Sequence, residues 1–333
     1  MKLSFKKNPR RALGIGLGLG MAGTLALAFR YGLRRLPRRP IPEDHSPAIF
    51  ARRLATTACG EMVFHISGAG EPVVFLHGMY PGASSFEWSR VYPSFVLHRE
   101  VIAADLIGFG ESERPATRMS ASDYAQSLAD FLGEVSPGRP PVVVASGLTA
   151  SLALLTASRH PERLRSLALF MPMIPRAAAP WASRRLSLSA RIPPLAGWLY
   201  DFSIARDPFL SAWAARFGFV DPARQDPEVI RNLAVCAQQS GARHALLNVL
   251  QGGLRFDLVP RLPSIPHPVI LLNPESAPGF RSEDVDTLAH HLPAAATVPL
   301  PRCAALSALE SPALLESALD PLLRGPTTNS KLA

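Results

Sequence analysis

The chain has 333 residues, of which 47% are hydrophobic and 18% charged, a composition that excludes an intrinsically disordered protein. The formal net charge is +9, from 35 Lys and Arg against 26 Asp and Glu. Residues 1–40 hold ten of the Lys and Arg and no Asp or Glu, so residues 41–333 carry 25 basic and 26 acidic groups. The excess of positive charge therefore lies in the N-terminal segment. This placement argues against nucleic-acid binding by residues 41–333.

An apolar segment comes first along the chain. Residues 12–29 are uncharged and mostly apolar, with five basic residues on each side. As a helix this run rises about 27 Å, close to the roughly 30 Å of a bilayer core. We therefore predict a single-pass membrane anchor in residues 1–35, with the lipid bilayer as its partner. Its orientation stays open because the two flanks carry equal charge. Ala26-Leu27-Ala28 fits a small-x-small cleavage site, so a cleaved signal peptide is the less favoured alternative.

Short apolar runs alternate with helical periodicity from residue 61 onward. The predicted strands are 62–66, 73–76, 101–104, 142–145, 167–170 and 269–272. The predicted helices are 122–135, 149–159, 208–217, 227–250, 283–292 and 308–323. Continuous apolar strands between helices indicate an α/β fold with a mostly parallel sheet that is flanked by helices.

The domain boundaries follow from this alternation. Residues 36–59 are predicted to be a Pro- and Arg-rich linker, and residues 326–333 a flexible tail. Residues 60–171 and 267–325 are predicted to form the α/β core. Residues 172–266 are rich in Trp, Phe and Leu. We predict an inserted helical cap there, because structureless loops of that length are rare in compact domains.

Several motifs in the first half of this core occur in a recognisable order. An apolar strand leads into His77-Gly78, Trp88 follows, and a second strand leads into residues 105–112, DLIGFGES. His160-Pro161-Glu162-Arg163 then precedes a further strand. These motifs resemble the α/β-hydrolase superfamily, most closely its capped esterases, epoxide hydrolases and dehalogenases, over about residues 60–323. The resemblance implies an α/β-hydrolase fold whose chemistry needs a nucleophile, an acid and a His.

The nucleophile of that family stands on a sharp strand-to-helix turn written G-x-S-x-G, between small residues. A turn centred on position 147 has the small residues Ala145 and Thr149 as flanks, but Gly147 has no nucleophile. A turn centred on Ser146 has Val144 and Leu148 as flanks, a poor steric fit. Ser146 is the candidate catalytic residue by its chemistry, and the alternative is a Ser that hydrogen-bonds the turn backbone.

The other two triad positions also lack the expected chemistry. The resemblance places the acid at Ala277, with Glu275 as the nearest carboxylate. It places the His at Ala305. His290-His291 lie on the preceding helix, where we expect a solvated face. The sequence thus departs from the family's pattern at the nucleophile, the acid and the His. We therefore predict that the fold is kept and the catalytic triad is lost.

The backbone of the resembled pocket does not depend on those side chains. The resemblance implies an oxyanion or carbonyl site at Met79 and Leu148, with His77, Gly78 and Asp105 in or beside the pocket. We therefore predict a catalytically impaired hydrolase-fold protein that binds a small apolar or acyl ligand, or a protein partner.

Two alternatives stay open at this point. One is an active, esterase-like hydrolase that uses Ser146, or a set such as Asp105 or Glu275 with His77. The other is a membrane-tethered interaction protein that acts through its cap. We expect no cofactor and no metal, because Cys59, Cys236 and Cys303 are too widely spaced for a CxxC site.

Overall fold

A computed structural model describes residues 46–175, 182 and 184–323. In this part of the chain eight strands form one sheet: β1 Ala51–Thr57, β2 Gly60–Gly68, β3 Glu71–Leu76, β4 Arg99–Ala104, β5 Val142–Ser146, β6 Ser166–Phe170, β7 Val269–Pro274 and β8 Ala295–Leu300. The strand order is β1-β2-β4-β3-β5-β6-β7-β8. β2 is antiparallel to β1 and β4, and the other pairs are parallel. The predicted mostly parallel sheet is confirmed.

Helices connect these strands. They are α1 Ala121–Val135, α2 Gly147–Arg159, α3 Arg184–Ser189, α4 Pro193–Leu199, α5 Asp207–Trp213, α6 Pro227–Ala237, α7 Ala242–Leu250, α8 Ser282–His291, α9 Ser307–Glu310 and α10 Pro312–Leu323. Helices α3 to α7 all lie between β6 and β7, in the segment that the sequence assigns to a cap. The single helical stretch expected over 227–250 is two helices, because Gly241 has a left-handed backbone with φ of +82°.

The sheet buries side chains on both faces. Val74 and Leu76 of β3 belong to one cluster of buried residues, and Val73 and Phe75 belong to the other. This division follows from the alternation of side chains along a strand. The indole N–H of Trp88 donates to the carbonyl oxygen of Leu76 over 3.1 Å, and the Trp88 ring lies 5.6 Å from that of Phe75. The segment after β3 is thereby fixed against the sheet.

The two edge strands were absent from the sequence prediction. β1 exposes its first four residues, among them Arg52 and Arg53, and β8 buries only Leu300 fully. Edge strands with one solvated face lack the continuous apolar run that identifies an interior strand. β1 also lies inside the stretch that the sequence assigns to a linker.

The predicted membrane localisation requires a correction. None of the helices in residues 46–175 and 184–323 is long and apolar enough to cross a bilayer. The longest, α1, has 15 residues and rises about 22 Å, less than the roughly 30 Å of a bilayer core. This finding contradicts the predicted membrane attachment. The apolar run 12–29 itself lies outside the described residues.

The turn after β4 depends on a close approach of backbone to carboxylate. Gly110 has φ of +49°, and a Cβ at this position would lie 2.1 Å from the carboxyl carbon of Asp105. We expect Gly110→Ala to lower the free energy of unfolding by about 3 kcal/mol or more, through backbone strain plus overpacking. Gly138→Ala is the matched control, because Gly138 has φ of +70° and a methyl group added there would meet nothing within 4 Å.

Denaturant unfolding of both variants measures the difference. Gly138→Ala adds backbone strain alone, so we expect it to lower the free energy of unfolding by about 1 kcal/mol. An equal decrease in the free energy of unfolding of the two variants would show that the close approach to Asp105 does not destabilise Gly110→Ala.

Candidate functional site

The chain passes from β5 into α2 through one left-handed residue. Ser146 ends the strand with φ of −116° and ψ of 151°, and Gly147 follows with φ of +57°. This backbone costs an L-residue with a side chain roughly 1–2 kcal/mol, which glycine avoids. A Cβ on Gly147 would meet only the Met173 methyl carbon, at 3.2 Å. The sharp strand-to-helix turn is therefore centred on position 147.

A pocket opens above this turn. It contains about 540 Å³ of space between protein atoms, part of it open to solvent. Residues at the turns after β3 and β5 line its base: Gly78, Met79, Tyr80, Ser146, Gly147 and Leu148. Largely apolar residues line the remainder: Phe170, Met171, Met173, Trp213, Phe217, Pro278, Gly279 and Ala305. Tyr80 and Trp213 stack with ring centroids 4.8 Å apart, and join the base to the segment between β6 and β7.

The predicted pocket residues divide into two groups. Gly78, Met79 and Leu148 line the pocket. His77 does not line it and is fully buried. The His77 Nε2 receives the Leu106 backbone N–H over 3.0 Å, so the ring proton must lie on Nδ1, which is 2.7 Å from the Gly78 carbonyl oxygen. With this arrangement His77 holds two loops in place, and Nε2 has no lone pair left to accept a substrate proton.

Asp105 is likewise buried and outside the pocket lining. Its two carboxylate oxygens receive the backbone N–H groups of Ser85 at 2.6 Å and Glu111 at 2.7 Å. The Ser112 hydroxyl donates to its carbonyl oxygen at 2.6 Å. These bonds connect the turn after β4 to the segment after β3, so Asp105 organises the loops that carry the pocket base.

The positions expected for the triad are brought together only in part. Gly147 and Ala305 line the same pocket, and the Ala305 N–H donates to the Phe217 carbonyl oxygen at 2.8 Å. Ala277 is half-buried beside the lining residue Pro278.

The titratable side chains named from sequence near these positions lie elsewhere. Glu275 and His290 are exposed, and the His291 Nδ1 is 2.9 Å from the Thr287 carbonyl oxygen of its own helix. None of the three lines the pocket. They therefore do not supply an acid or a base to the pocket.

A carboxylate that the sequence analysis did not select lies directly behind the pocket base. Glu87 is 2% exposed and stands on a short helical turn, Ser85–Trp88. Its Oε2 receives the Gly78 N–H over 2.8 Å, and its Oε1 receives the Ser146 hydroxyl over 2.5 Å. The Tyr80 hydroxyl is a third hydrogen-bond partner of this carboxylate. Ser146 is the N-cap residue of α2, but its hydroxyl makes this bond instead of capping the helix.

The environment of Glu87 favours its neutral form. Burial raises the pKa of this carboxyl to about 7, although hydrogen bonds from Ser146, Gly78 and Tyr80 act in the opposite direction. Burial and the nearby Glu87 carboxylate raise the pKa of Tyr80 well above its usual value, so Tyr80 stays protonated at neutral pH. The only sequence signal for Glu87 is a charged residue between two large aromatic residues, Phe86 and Trp88.

Comparison with known proteins identifies the family. The family described as "Alpha/beta hydrolase family" matches residues 73–324 of this chain. A 2-hydroxymuconate semialdehyde hydrolase of Pseudomonas sp. (strain CF600) is 40% identical over 110 residues, which are 32% of this chain and 38% of that protein. A haloalkane dehalogenase of Agrobacterium fabrum is 33% identical over 107 residues, 32% of this chain and 34% of that protein. The matches thus span well under half the length of these relatives.

A solved structure extends the likeness over most of the fold. A thermophilic esterase from Thermogutta terrifontis is 22% identical, with a TM-score of 0.67 over 82% of this chain and 98% of that one. Identity at this level shows the fold alone. Taken with the sheet order, the strand-to-helix turn at Gly147 and the family match over residues 73–324, this likeness confirms the resemblance, and the chain belongs to the alpha/beta hydrolase family.

Proposed function

We propose that the pocket above the β5–α2 turn binds a small apolar ligand with a carbonyl or carboxyl group, without hydrolysing it through a Ser–His–acid triad. One observation carries this proposal. Gly147 and Ala305, at the positions where the family's nucleophile and His are expected, both line this pocket. The pocket that the fold provides for a ligand is therefore present, while these two positions carry neither a nucleophile nor a His.

The composition of the lining supports an acyl-type ligand. Phe170, Met171, Trp213 and Phe217 offer apolar surface, which suits a hydrocarbon chain. The first N–H groups of α2 have no acceptor within their own helix, and they begin at the pocket base. A ligand oxygen with partial or full negative charge is favoured at such a helix start.

The same lining argues against efficient hydrolysis. Among the described residues that line the pocket, only Tyr80 has a titratable side chain, and its raised pKa makes it a poor base at neutral pH. Loss of a triad member costs on the order of 10⁴–10⁶ in kcat in a serine hydrolase. Binding and helix-terminus effects would leave a small residual rate at most.

A second candidate is an active hydrolase, which the hydrogen bond from the Ser146 hydroxyl to Glu87 favours. In that mechanism the Ser146 Oγ would form a bond to the acyl carbon while its proton moves to Glu87 and then to the leaving alcohol. Water would then hydrolyse the acyl-enzyme. Ser146 stands one residue before the apex of the turn, and Glu87 takes the place of a His. Both features depart from the family's geometry, whereas ligand binding without hydrolysis requires neither of them.

Ligand binding is tested with octanoate and the intrinsic fluorescence of Trp213, which lines the pocket. Ala305→Phe places an aromatic ring in the pocket, so we expect the Kd for octanoate to rise at least about tenfold. Ala296→Phe makes the same substitution at an exposed position of β8 and should leave Kd unchanged. Trp213→Phe verifies the source of the signal. Equal affinity in Ala305→Phe and Ala296→Phe would place octanoate elsewhere and contradict the proposal.

The absence of triad chemistry is tested with a serine-reactive fluorophosphonate. We expect the full chain to be labelled only at background level, and the triple variant Gly147→Ser/Ala277→Asp/Ala305→His to be labelled, because it restores the three side chains at the family's positions. In-gel fluorescence measures both. Strong labelling of the unaltered chain that disappears in Ser146→Ala would favour the Ser146–Glu87 hydrolase instead.

A further inference from the structure

We propose that the pocket takes up a carboxylate ligand together with one proton, which Glu87 holds while Ser146 turns its hydroxyl toward the ligand. This inference rests on the proposed function and narrows its ligand class to monocarboxylates with an apolar chain. It gives Glu87 and Ser146 a joint role as a proton-coupled recognition pair at the pocket base.

The groups that form hydrogen bonds with Glu87 in the described part of the chain donate those bonds. The carboxylate faces the Gly78 N–H and Tyr80, both from the segment after β3, and Ser146 at the end of β5. Of these groups only Tyr80 titrates, and no Lys, Arg or His among the described residues forms an ion pair with Glu87. Hydrogen bonds are therefore what stabilises an ionised Glu87.

The direction of these hydrogen bonds decides which oxygen takes a proton. A backbone N–H can only donate, so Oε2 always accepts from Gly78. The hydrogen bond between Oε1 and the Ser146 Oγ can run in either direction, because a hydroxyl both donates and accepts. Oε1 is thus the oxygen at which a proton can be added while the Gly78 and Ser146 contacts are both kept.

Protonation of Oε1 changes what Ser146 offers to the pocket. While Glu87 is ionised, the Ser146 hydroxyl donates to it and cannot donate to a ligand. Once Glu87 is protonated, it donates to the Ser146 Oγ, and the Ser146 hydrogen becomes available to another acceptor. Ser146 lines the pocket, and its neighbour Gly147 has no side chain to occupy the adjacent space.

A bound carboxylate makes the protonated arrangement the favourable one. Two carboxylates close together in a water-poor site cannot both stay ionised without a large cost. A proton from solvent removes that repulsion and completes a chain of hydrogen bonds from Glu87 through Ser146 to the ligand oxygen. Because the pKa of Glu87 in the free protein is about 7, the proton is gained on binding mainly above neutral pH.

The test is isothermal titration calorimetry of the full chain with octanoate, in phosphate and in Tris, whose ionisation enthalpies differ. At about pH 8 we expect uptake of about one proton per octanoate, and between about pH 6 and pH 8 we expect Kd to rise about tenfold. Binding with the same Kd at both pH values and no proton uptake would overturn the inference while leaving the proposed function intact. No binding at either pH would overturn the proposed function itself.

Variants assign the proton to Glu87. Glu87→Gln keeps an acceptor for Gly78 and supplies a fixed donor to Ser146, so its Kd should change less than about twofold with pH and its proton uptake should vanish. Glu275→Gln is the matched control, because Glu275 is exposed near the lining residue Pro278. The control should keep the tenfold dependence. Loss of the pH dependence in Glu275→Gln, or its persistence in Glu87→Gln, would overturn the assignment.

Ser146→Ala tests the other member of the pair. Without the hydroxyl the chain of hydrogen bonds to the ligand is broken, so we expect Kd at about pH 6 to rise roughly tenfold, which is the effect of one charge-assisted hydrogen bond. An unchanged Kd in Ser146→Ala would show that the ligand oxygen does not contact Ser146 and would overturn its part in the proposal.

Discussion

The chain leaves β5 and enters α2 through a single residue with a left-handed backbone, and the geometry of the pocket follows from that turn. Gly147 supplies the turn without the strain that a side chain would add. The turn brings the start of α2 to the pocket base and places Ser146 on the side that faces Glu87.

Around this turn the polar interactions are concentrated one layer behind the pocket surface. Glu87 connects the segment after β3 to the end of β5 through Gly78 and Ser146. His77 and Asp105 fix the neighbouring loops through backbone donors. The pocket itself is lined mostly by apolar side chains and glycine. We propose that this apolar surface, with its polar support behind it, recognises an acyl chain.

The sequence predicts the interior strands and most helices well, because strands buried on both faces must be continuously apolar. β1 and β8 could not be found in this way, since each exposes much of its length. The position of the strand-to-helix turn at Gly147 followed from steric limits on its flanking residues. The membrane attachment predicted from residues 12–29 was wrong, because no helix in the described part of the chain is long and apolar enough to span a bilayer.

The residues that form and support the pocket base were harder to predict from the sequence. The importance of Glu87 depends on Gly78, Tyr80 and Ser146, which come from two separate segments that only the folded sheet brings together. Sequence patterns could not show that His77 is held as a neutral acceptor, because this depends on the N–H of a residue 29 positions away. Burial and the direction of hydrogen bonds decide these roles, and both are properties of the fold.

We propose that an acyl ligand occupies this pocket without forming a covalent bond to the chain. Mass spectrometry of the full chain after incubation with an octanoyl ester, under native and then denaturing conditions, distinguishes this binding from acylation. We expect a ligand-bound mass under native conditions that is lost on denaturation, with the ester recovered intact. An octanoyl adduct that survives denaturation and disappears in Ser146→Ala would contradict it.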